Sequence, residues 1–376
     1  MLRGNWPAQG RRSTLSEERT MRMRGWAAWA AMATGVLLAT GCMPGRTSKH
    51  RPKLFLALPE EAHLPDGMAL DREGNIILAC PNYNEQKYPA VLMRIDRQNK
   101  LSVWCDKLPV APTSQRCGPM GIAFGPDGNL YVADLQYFFD KKHASRLLRV
   151  NVKDGQPTSV DVVVEGFLLS NAVVWKGNDC YVSETFFDMP DGSHKSGVFR
   201  FTLDELQKGG IKLQPYGKDP HLIATFTTLP NPRKDSAGAD GLAFDNSGNL
   251  YCSLFGDGSI HRLTFDDKGN VTSNTVYIRD KRCPCGDGMR HDPRTDRIYI
   301  ADSQNNAIHY FTPGGKFKTL WKNGDDDGRT GLLDQPCEPL IRGNELIISN
   351  FDGNFPGLKN KGYDKVHTLS VIQLED

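Results

Sequence analysis

Short apolar segments alternate with polar turns along most of the chain, and one such pattern recurs. Three copies align without a gap: DGMALDREGNII from Asp66, MGIAFGPDGNLY from Met120 and DGLAFDNSGNLY from Asp240. Each copy predicts two short strands joined by a tight turn, because its Asp-Gly and Gly-Asn pairs provide the positive φ that two-residue hairpin loops require. The repeated unit is therefore a predicted β-hairpin.

Three further copies are less regular. DGMRHDPRTDRIY from Asp287 carries one insertion, whereas NAVVWKGNDCYVSE from Asn171 and EPLIRGNELIIS from Glu338 are shorter in the turn. The six copies start 47 to 69 residues apart, which leaves room for two more strands per unit. Helical periodicity is confined to Leu203 to Gln207. Six units of four antiparallel strands predict an all-β fold, a six-bladed β-propeller.

The two ends of the chain are predicted to meet in the last blade. Only three strands, PLIR, ELIISN and TLSVIQL, follow from Glu338 onward. The N-terminal segment LFLAL, Leu54 to Leu58, is predicted to supply the fourth strand, which removes the open sheet edges. The propeller is thus predicted over residues 53–376.

The N-terminal region has the pattern of an export signal. Arg22 and Arg24 precede an uncharged stretch, Trp26 to Gly41, that is too short for a comfortable membrane span. It ends in LATGC, which resembles the lipobox of bacterial lipoproteins, so residues 1–42 are predicted to be a signal peptide with Cys42 as the lipidated residue. An ordinary cleaved signal is the alternative. Met21 or Met23 would be a more typical start, which leaves open whether residues 1–20 are translated.

The charge is unevenly distributed between this region and the rest of the chain. The 376 residues have a formal net charge of +2, but residues 1–51 hold nine basic and two acidic residues, so the remainder carries about −5. That balance gives no support to a nucleic-acid partner, which favours a basic face. Residues 43–52 are predicted to be a short tether, and an exported, periplasmic or cell-surface location with membrane attachment through Cys42 is expected.

The first position of each repeat is the main candidate for chemistry. Innermost propeller strands run along the central tunnel, so these six residues should form a ring: Asp66, Met120, Asn171, Asp240, Asp287 and Glu338. Several carboxylates in a partly desolvated tunnel must be protonated, hydrated or paired with a cation. Oxygen ligands suit a hard cation, so Ca²⁺ is predicted, with Mg²⁺, Mn²⁺ and Zn²⁺ as alternatives. The alternative is that Asp-Gly before a strand serves only turn formation.

With Asn171 and Asp240 at this position, the chain resembles the gluconolactonase and regucalcin-like family of six-bladed propellers, and more distantly paraoxonase and diisopropyl-fluorophosphatase propellers. The likeness covers about residues 54–374. It implies one divalent cation in the tunnel that promotes hydrolysis of sugar lactones, with Asn171 and Asp240 as ligands and Asp240 also as general base.

The sequence departs from the family pattern at two ring positions. Asp66 stands where the family has Glu, and Met120 stands where it has Asn. Glu338 is the candidate to compensate as a further metal ligand. Asp287, Met120 and His63 are candidates to contact substrate or to position the ligands.

Three functions are consistent with these residues. The leading hypothesis is an exported, calcium-dependent hydrolase of lactones or related esters, in which water attacks a metal-polarised carbonyl of a small-molecule substrate such as a sugar lactone. The second is a non-catalytic propeller that binds a carbohydrate or protein at the tunnel face. The third is a phosphotriesterase that uses the same metal.

Other reactive residue types have simpler interpretations. Eight cysteines follow Cys42, and those near ring positions, Cys117, Cys285 and Cys337, are expected to include disulfides between neighbouring blades. His63 is expected either at the tunnel mouth or as a solvated loop residue. His291 and His309 are expected to be packing residues in strands, and the acidic run 325–328 to be a solvated turn. Three long loops, 186–197, 214–236 and 350–365, are expected to cover the tunnel mouth.

Overall fold

A computed structural model describes residues 49–215, 217–353 and 355–375. The predicted signal peptide, its lipobox and Cys42 lie outside these residues. Almost all regular structure is β-strand, and it is arranged in six sheets that form the six blades of a propeller, as predicted.

Each blade contains four antiparallel strands, which follow chain order from the axis outward in blades 1 to 5, whereas the N-terminal strand is outermost in blade 6. Blade 1 contains β2 (Met68–Leu70), β3 (Ile76–Cys80), β4 (Val91–Ile95) and β5 (Leu101–Cys105). Blade 2 contains β6 (Pro119–Phe124), β7 (Leu130–Asp134), β8 (Ser145–Lys153) and β9 (Gln156–Phe167). Blade 3 contains β10 (Ser170–Lys176), β11 (Asp179–Asp188), β12 (His194–Thr202) and β14 (Leu222–Phe226).

Blades 4 to 6 follow the same arrangement. Blade 4 contains β15 (Ala239–Phe244), β16 (Leu250–Leu254), β17 (Ile260–Phe265) and β18 (Val271–Ile278). Blade 5 contains β19 (Met289–Asp292), β20 (Arg297–Asp302), β21 (Ala307–Phe311) and β22 (Phe317–Lys322). Blade 6 contains β23 (Pro336–Arg342), β24 (Glu345–Asn350), β25 (Thr368–Gln373) and β1 (Lys53–Ala57).

The hydrophobic core lies between neighbouring blades. Six clusters of buried side chains each combine residues of two adjacent sheets, and the cluster between blades 6 and 1 joins Leu340 and Leu369 to Ile76 and Leu78. Because a blade is covered on both faces, its second strand is apolar without alternation, as in the fully buried Ile76–Cys80.

Ring closure occurs at the predicted strand. β1 pairs antiparallel with β25, with Lys53 opposite Val371 and Ala57 opposite Thr368. The innermost strands of neighbouring blades contact one another around the axis, including β23 with β2. The propeller is therefore closed by both strand pairing and blade packing.

The repeated hairpin turns differ from the predicted two-residue loops. In blade 1, Asp71 N–H donates to the carbonyl of Asn75 at 2.9 Å, which leaves a three-residue loop ending in Gly74 at φ +83°. The Asp71 carboxylate also accepts the backbone N–H of Glu73 and Asn75. Three-residue loops of this kind place a left-handed glycine last, which explains the Asp and Gly-Asn of the repeat.

Blade 2 has an unpredicted fifth strand. The helix α1 (Leu203–Lys208) begins at a capping box formed by Thr202 and Glu205, and after it β13 (Ile211–Lys212) runs parallel to β9 at the outer edge of the sheet. Within the described residues no helix is long and apolar enough to cross a membrane.

The expected disulfides are absent from the described part of the chain. All eight cysteines there are buried free thiols. Cys337, for example, contacts the hydroxyl of Ser349 at 3.2 Å and the carbonyl of Pro65 at 3.3 Å. Burial raises the pKa of these thiols, so they pack as small apolar side chains.

Candidate active site

The predicted ring residues sit where the innermost strands are irregular. Register shifts in four blades span Met120, Asn171, Asp240 and Glu338. Such bulges redirect side chains and are common beside binding sites. In blades 1 and 5, Asp66 and Asp287 lie just before the strand, and each donates its N–H at 3.0 Å to the neighbouring strand, to Ala79 and Ala301.

The glycine that follows the ring position in four blades permits close packing about the axis. A Cβ on Gly67 would lie 2.2 Å from the carbonyl oxygen of Met120, and one on Gly241 would lie 2.4 Å from that of Asp287. Neither glycine has positive φ. These glycines are therefore explained by contact between neighbouring inner strands and not by turn formation.

Five of the six ring residues line one cavity of about 250 Å³ at one end of the tunnel: Asp66, Met120, Asn171, Asp240 and Asp287. Its walls are largely aromatic. They are built by Tyr137, Phe138, Phe186, Phe255, Phe351 and Phe355. The cavity thus combines a polar floor with apolar walls, which is typical of small-molecule sites.

Asp240 is the most connected residue of the floor. It is buried, accepts a hydrogen bond from Asn171 Nδ2 at 2.8 Å, and lies beside the carboxyl group of Asp287. Burial and the charge of Asp287 raise the pKa of Asp240 well above its usual range. A proton or a cation on this pair would relieve the repulsion between its two carboxylates.

Asp287 is better supported by hydrogen bonds than Asp240. Its carboxylate accepts the hydroxyl of Ser303 and the backbone N–H of Gly288, the latter at 2.9 Å. Burial nevertheless raises its pKa to about 6. At Asp66, burial together with the charges of Asp287 and Glu338 raises the pKa well above the ordinary carboxyl value.

Glu338 is the ring residue that does not line the cavity. Its carboxylate accepts Arg290 Nη2 at 2.8 Å, and it is not among the lining residues. The same guanidinium donates to the carbonyls of Met68 and Pro339, so it ties blade 5 to blades 1 and 6 beneath the ring. Burial raises the pKa of Glu338 to about 7 despite this pairing.

Sequence reasoning did not identify Arg290, although a signal was present. The fourth position of the repeat is Ala69, Ala123 or Ala243 in the gapless copies, and Arg290 replaces that alanine. A charged residue at a small inward position is a departure that could have been detected. The aromatic walls of Tyr137 and Phe138 belong to a loop with no periodic pattern, so no comparable signal existed for them.

Met120 and His63 differ in their relation to the cavity. Met120 lines it and also packs in an apolar cluster with Leu64 and Leu135. His63 does not line the cavity and is not a solvated loop residue either. It is 3% exposed, and its Nδ1 lies 2.9 Å from the hydroxyl of Tyr363. The expectation of a solvated loop residue was therefore wrong.

The other histidines and the long loops conform to expectation. His309 is buried and hydrogen-bonded to Thr319 and Asp302, and His291 bonds Asp296 at 2.8 Å. Each of the three expected loops contributes to the cavity. Their lining residues are Phe186, Arg233, Asp235, Phe351, Phe355 and Pro356.

A wider depression of about 650 Å³ lies at the opposite end of the tunnel. Its polar lining residues include Arg290, His291 and Arg294, whereas the acidic ring residues line the other end. The smaller cavity is the better candidate site because it collects the buried, pKa-shifted carboxylates.

The cavity floor fits a hard cation by donor type. Asp66, Asn171, Asp240 and Asp287 offer carboxylate and amide oxygens, and the one guanidinium that lines the cavity, Arg233, donates to the carbonyls of Phe255 and Gly256. Within the described residues, no three ring carboxylates place one oxygen each within 4.8 Å of one another. The donors are thus suitable in kind but widely spaced.

Solved structures with the same fold cover most of the chain. A protein described as a gluconolactonase matches with a TM-score of 0.53 at 16% sequence identity, over 87% of this chain and 94% of that chain. A gluconolactonase from Xanthomonas campestris matches with a TM-score of 0.55 at 13% identity, over 87% and 92%. A PQQ-bound aldose sugar dehydrogenase from Streptomyces coelicolor matches with a TM-score of 0.53 at 14% identity, over 87% and 99%.

At these identities the likeness concerns the fold. The similar structures include both gluconolactonases and a sugar dehydrogenase, so the fold alone does not select a reaction. No protein-family model and no curated protein matches the chain. By its structure the chain is a six-bladed β-propeller of the kind found in gluconolactonases, as the sequence resemblance implied.

Proposed function

We propose that this protein is an exported, calcium-dependent hydrolase of lactones or related esters. The observation that carries the proposal is the convergence of Asp66, Asn171, Asp240 and Asp287 on the floor of one aromatic-walled cavity. A floor of desolvated carboxylates costs free energy unless protons or a cation neutralise it. Oxygen donors of this kind favour Ca²⁺ over softer metals.

Asp66, Asn171 and Asp240 would hold the cation, and Asp287 lies beside them. When bound, Ca²⁺ would polarise the substrate carbonyl and stabilise the developing oxyanion. Glu338 is left out of this set, because it pairs with Arg290 and does not line the cavity. The sequence-based assignment of Glu338 as a compensating ligand is therefore not carried into the proposal.

The chain's own side chains would supply the remaining functions. Asp240 is the general base that takes a proton from the attacking water, and its hydrogen bond from Asn171 Nδ2 fixes its orientation. Tyr137 and Phe186, which stack with ring centroids 5.4 Å apart, would cover one face of a small ring substrate and exclude water.

The test is hydrolysis of a panel of sugar and aliphatic lactones by the purified protein with Ca²⁺ or with chelator. We expect activity only with the cation, and a loss of about 10²-fold or more in kcat for Asp240→Asn, since a positioned base contributes about that much. Asp267→Asn, an exposed turn residue of the same blade, is the matched control and should retain full activity.

Two results would contradict this function. Full activity in chelator would remove the cation from the mechanism, and full activity of Asp240→Asn would remove the base. A paraoxon assay on the same samples distinguishes phosphotriester hydrolysis. Lactone binding without turnover would identify the non-catalytic alternative.

We further propose that the protein is exported and anchored through Cys42. The support is the sequence alone, namely the uncharged stretch Trp26 to Gly41 followed by the lipobox-like LATGC. Cell fractionation should place the wild-type protein with membranes, and Cys42→Ala should release it from them. Equal membrane association of the two would contradict anchoring at this residue.

A further inference from the structure

A second cluster of carboxylates lies in blade 6, outside the ring. Asp334, Asp352 and Asp364 each place one oxygen within 4.8 Å of the others. Asp334 precedes β23, Asp352 follows the end of β24, and Asp364 belongs to the long connection 351–367 between β24 and β25. The cluster therefore joins the start of β23 and the end of β24 to the connection between β24 and β25.

Two of these carboxylates are removed from water. Asp352 is 0% exposed and Asp334 is 1% exposed. Asp334 Oδ1 has no hydrogen-bond partner. Asn360, also buried, donates its Nδ2 to Asp352 Oδ1 at 2.9 Å, and its own Oδ1 has no partner. The site thus contains two unsatisfied buried oxygens, which natural structures rarely leave without a ligand.

No lysine or arginine pairs with the cluster in the described part of the chain. The one basic group within 4.0 Å is His367, whose Nδ1 lies 3.8 Å from Asp352 Oδ2. His367 is 2% exposed, and neither of its ring nitrogens has a hydrogen-bond partner. The nearby residues Asp325 and Asp326 add further negative charge.

A cation fits this arrangement. It would use the free oxygens of Asp334 and Asn360 directly and would offset the repulsion among the three carboxylates.

We propose that Asp334, Asp352 and Asp364, with the amide oxygen of Asn360, bind a calcium ion. The donors are all oxygen, include three carboxylates and come from separate segments, which suits the flexible coordination of Ca²⁺. The ion fastens the connection 351–367 to the blade. Phe351, Phe355 and Pro356 of that connection line the cavity, so the ion holds part of the cavity wall in place.

The test is calorimetric titration of the chelator-treated, purified protein with Ca²⁺, together with its thermal unfolding with and without the ion. We expect Ca²⁺ to raise the Tm of the wild-type protein. Asp334→Asn should lose this rise, and in chelator its Tm should equal or exceed that of the wild type, because the substitution removes a repelling charge. Retention of the circular dichroism spectrum shows that the variant folds.

Two control variants separate this site from the tunnel. Asp327 belongs to the acidic run 325–328, but it is exposed and pairs with Arg329 at 3.4 Å. Asp327→Asn should therefore keep the wild-type rise of Tm with Ca²⁺. Asp240→Asn should also keep binding at Asp334, whether or not the ring holds an ion. Failure of the proposed function therefore leaves this result intact.

Three outcomes would overturn the inference. In the first, Asp240→Asn abolishes all Ca²⁺ binding seen in the titration. In the second, Asp334→Asn and Asp352→Asn both keep the wild-type rise of Tm with Ca²⁺. In the third, the protein binds Mg²⁺ but not Ca²⁺. A Tm that changes with pH but not with Ca²⁺ would show that protons alone neutralise the cluster.

Discussion

Glu184 is a buried carboxylate that takes no part in the proposed chemistry. It lies in β11, is 1% exposed, and accepts the backbone N–H of Leu168 at 2.6 Å and of Leu169 at 3.0 Å through Oε1. Its Oε2 has no partner. Burial outweighs these two hydrogen bonds and raises the pKa of Glu184 to about 8.

The buried environment of Glu184 makes the free energy of unfolding of the protein depend on pH. An unfolded Glu has a pKa of about 4.3, so between that value and about 8 the folded state binds one more proton at Glu184 than the unfolded state. The stabilisation that Glu184 provides is complete below the pKa of the unfolded state and is lost as the pH rises through the pKa of the folded state. Glu184→Gln keeps the acceptor Oε1 and removes the titration.

We therefore expect Glu184→Gln to unfold at higher denaturant concentration than the wild type at pH 9, and to flatten the pH dependence of the free energy of unfolding between pH 5 and 9. The difference should be on the order of a few kcal/mol, at about 1.4 kcal/mol per pKa unit. The control is Glu165→Gln, an exposed carboxylate on β9. Parallel pH profiles for Glu184→Gln and the wild type would contradict the assignment.

Residue-scale prediction from sequence succeeded where a position is repeated. The six first positions of the repeat could be aligned, and five of them line one cavity. It failed where tertiary contacts decide the environment. Burial of His63 involves Tyr363, which is 300 residues away in the chain, and Glu338 pairs with Arg290, 48 residues away.

At the scale of elements, the closing strand β1 depends on a close approach by a glycine. Gly331 has φ +88°, and a Cβ there would lie 1.7 Å from the backbone nitrogen of Leu54 in β1. Gly343, in the same blade, has φ +60° and nothing within 4 Å of its Cβ position. The two glycines share the backbone strain of positive φ but only one contacts the closing strand.

Gly331→Ala should therefore destabilise the protein more than Gly343→Ala. The positive φ costs both variants about 1 kcal/mol, and the overlap with β1 should add about 1–3 kcal/mol to the first. Thermal unfolding measures the difference, and limited proteolysis of the N-terminal strand shows whether β1 has detached. Equal Tm values for the two variants would mean that β1 adjusts without cost.

Elements with a strong periodic pattern were predictable, and short or irregular ones were not. The hairpins and the closing strand follow from apolar runs between turns of Asp, Gly and Asn. β13 has two residues and pairs parallel to β9 through tertiary contact, so no pattern in Ile211 and Lys212 marks it. The cysteines could not be paired from spacing, because bond formation requires side-chain geometry that repeat positions do not specify.

At the scale of the whole molecule, the two ends of the tunnel differ in charge and lining. The carboxylates of the ring line one end, whereas the other end is lined by Arg290, His291 and Arg294 together with Asp292. Arg290 lies between them, since it bonds Met68 and Glu338 beneath the ring. A substrate that needs the carboxylates must therefore enter from the aromatic end.

Phe355 tests this direction of entry. It lies between Phe138, at a ring-centroid distance of 5.9 Å, and Phe351, at 6.1 Å. Removing its ring opens the wall without touching the carboxylates, so we expect Phe355→Ala to raise the KM for a hydrolysed lactone by about tenfold, equivalent to about 1.4 kcal/mol, with a smaller change in kcat. Steady-state kinetics with Ca²⁺ present measure both constants.

The matched control for Phe355 is an aromatic residue at the other end of the tunnel. Phe244 lines that depression and packs edge-on against Tyr181 at 5.0 Å. Phe244→Ala removes a ring of the same size from the molecule and should lower the Tm while leaving KM unchanged. If Phe244→Ala raised KM and Phe355→Ala did not, the substrate would enter through the end of the tunnel that Phe244 and Arg290 line. Arg290 would then be the residue that contacts the entering substrate.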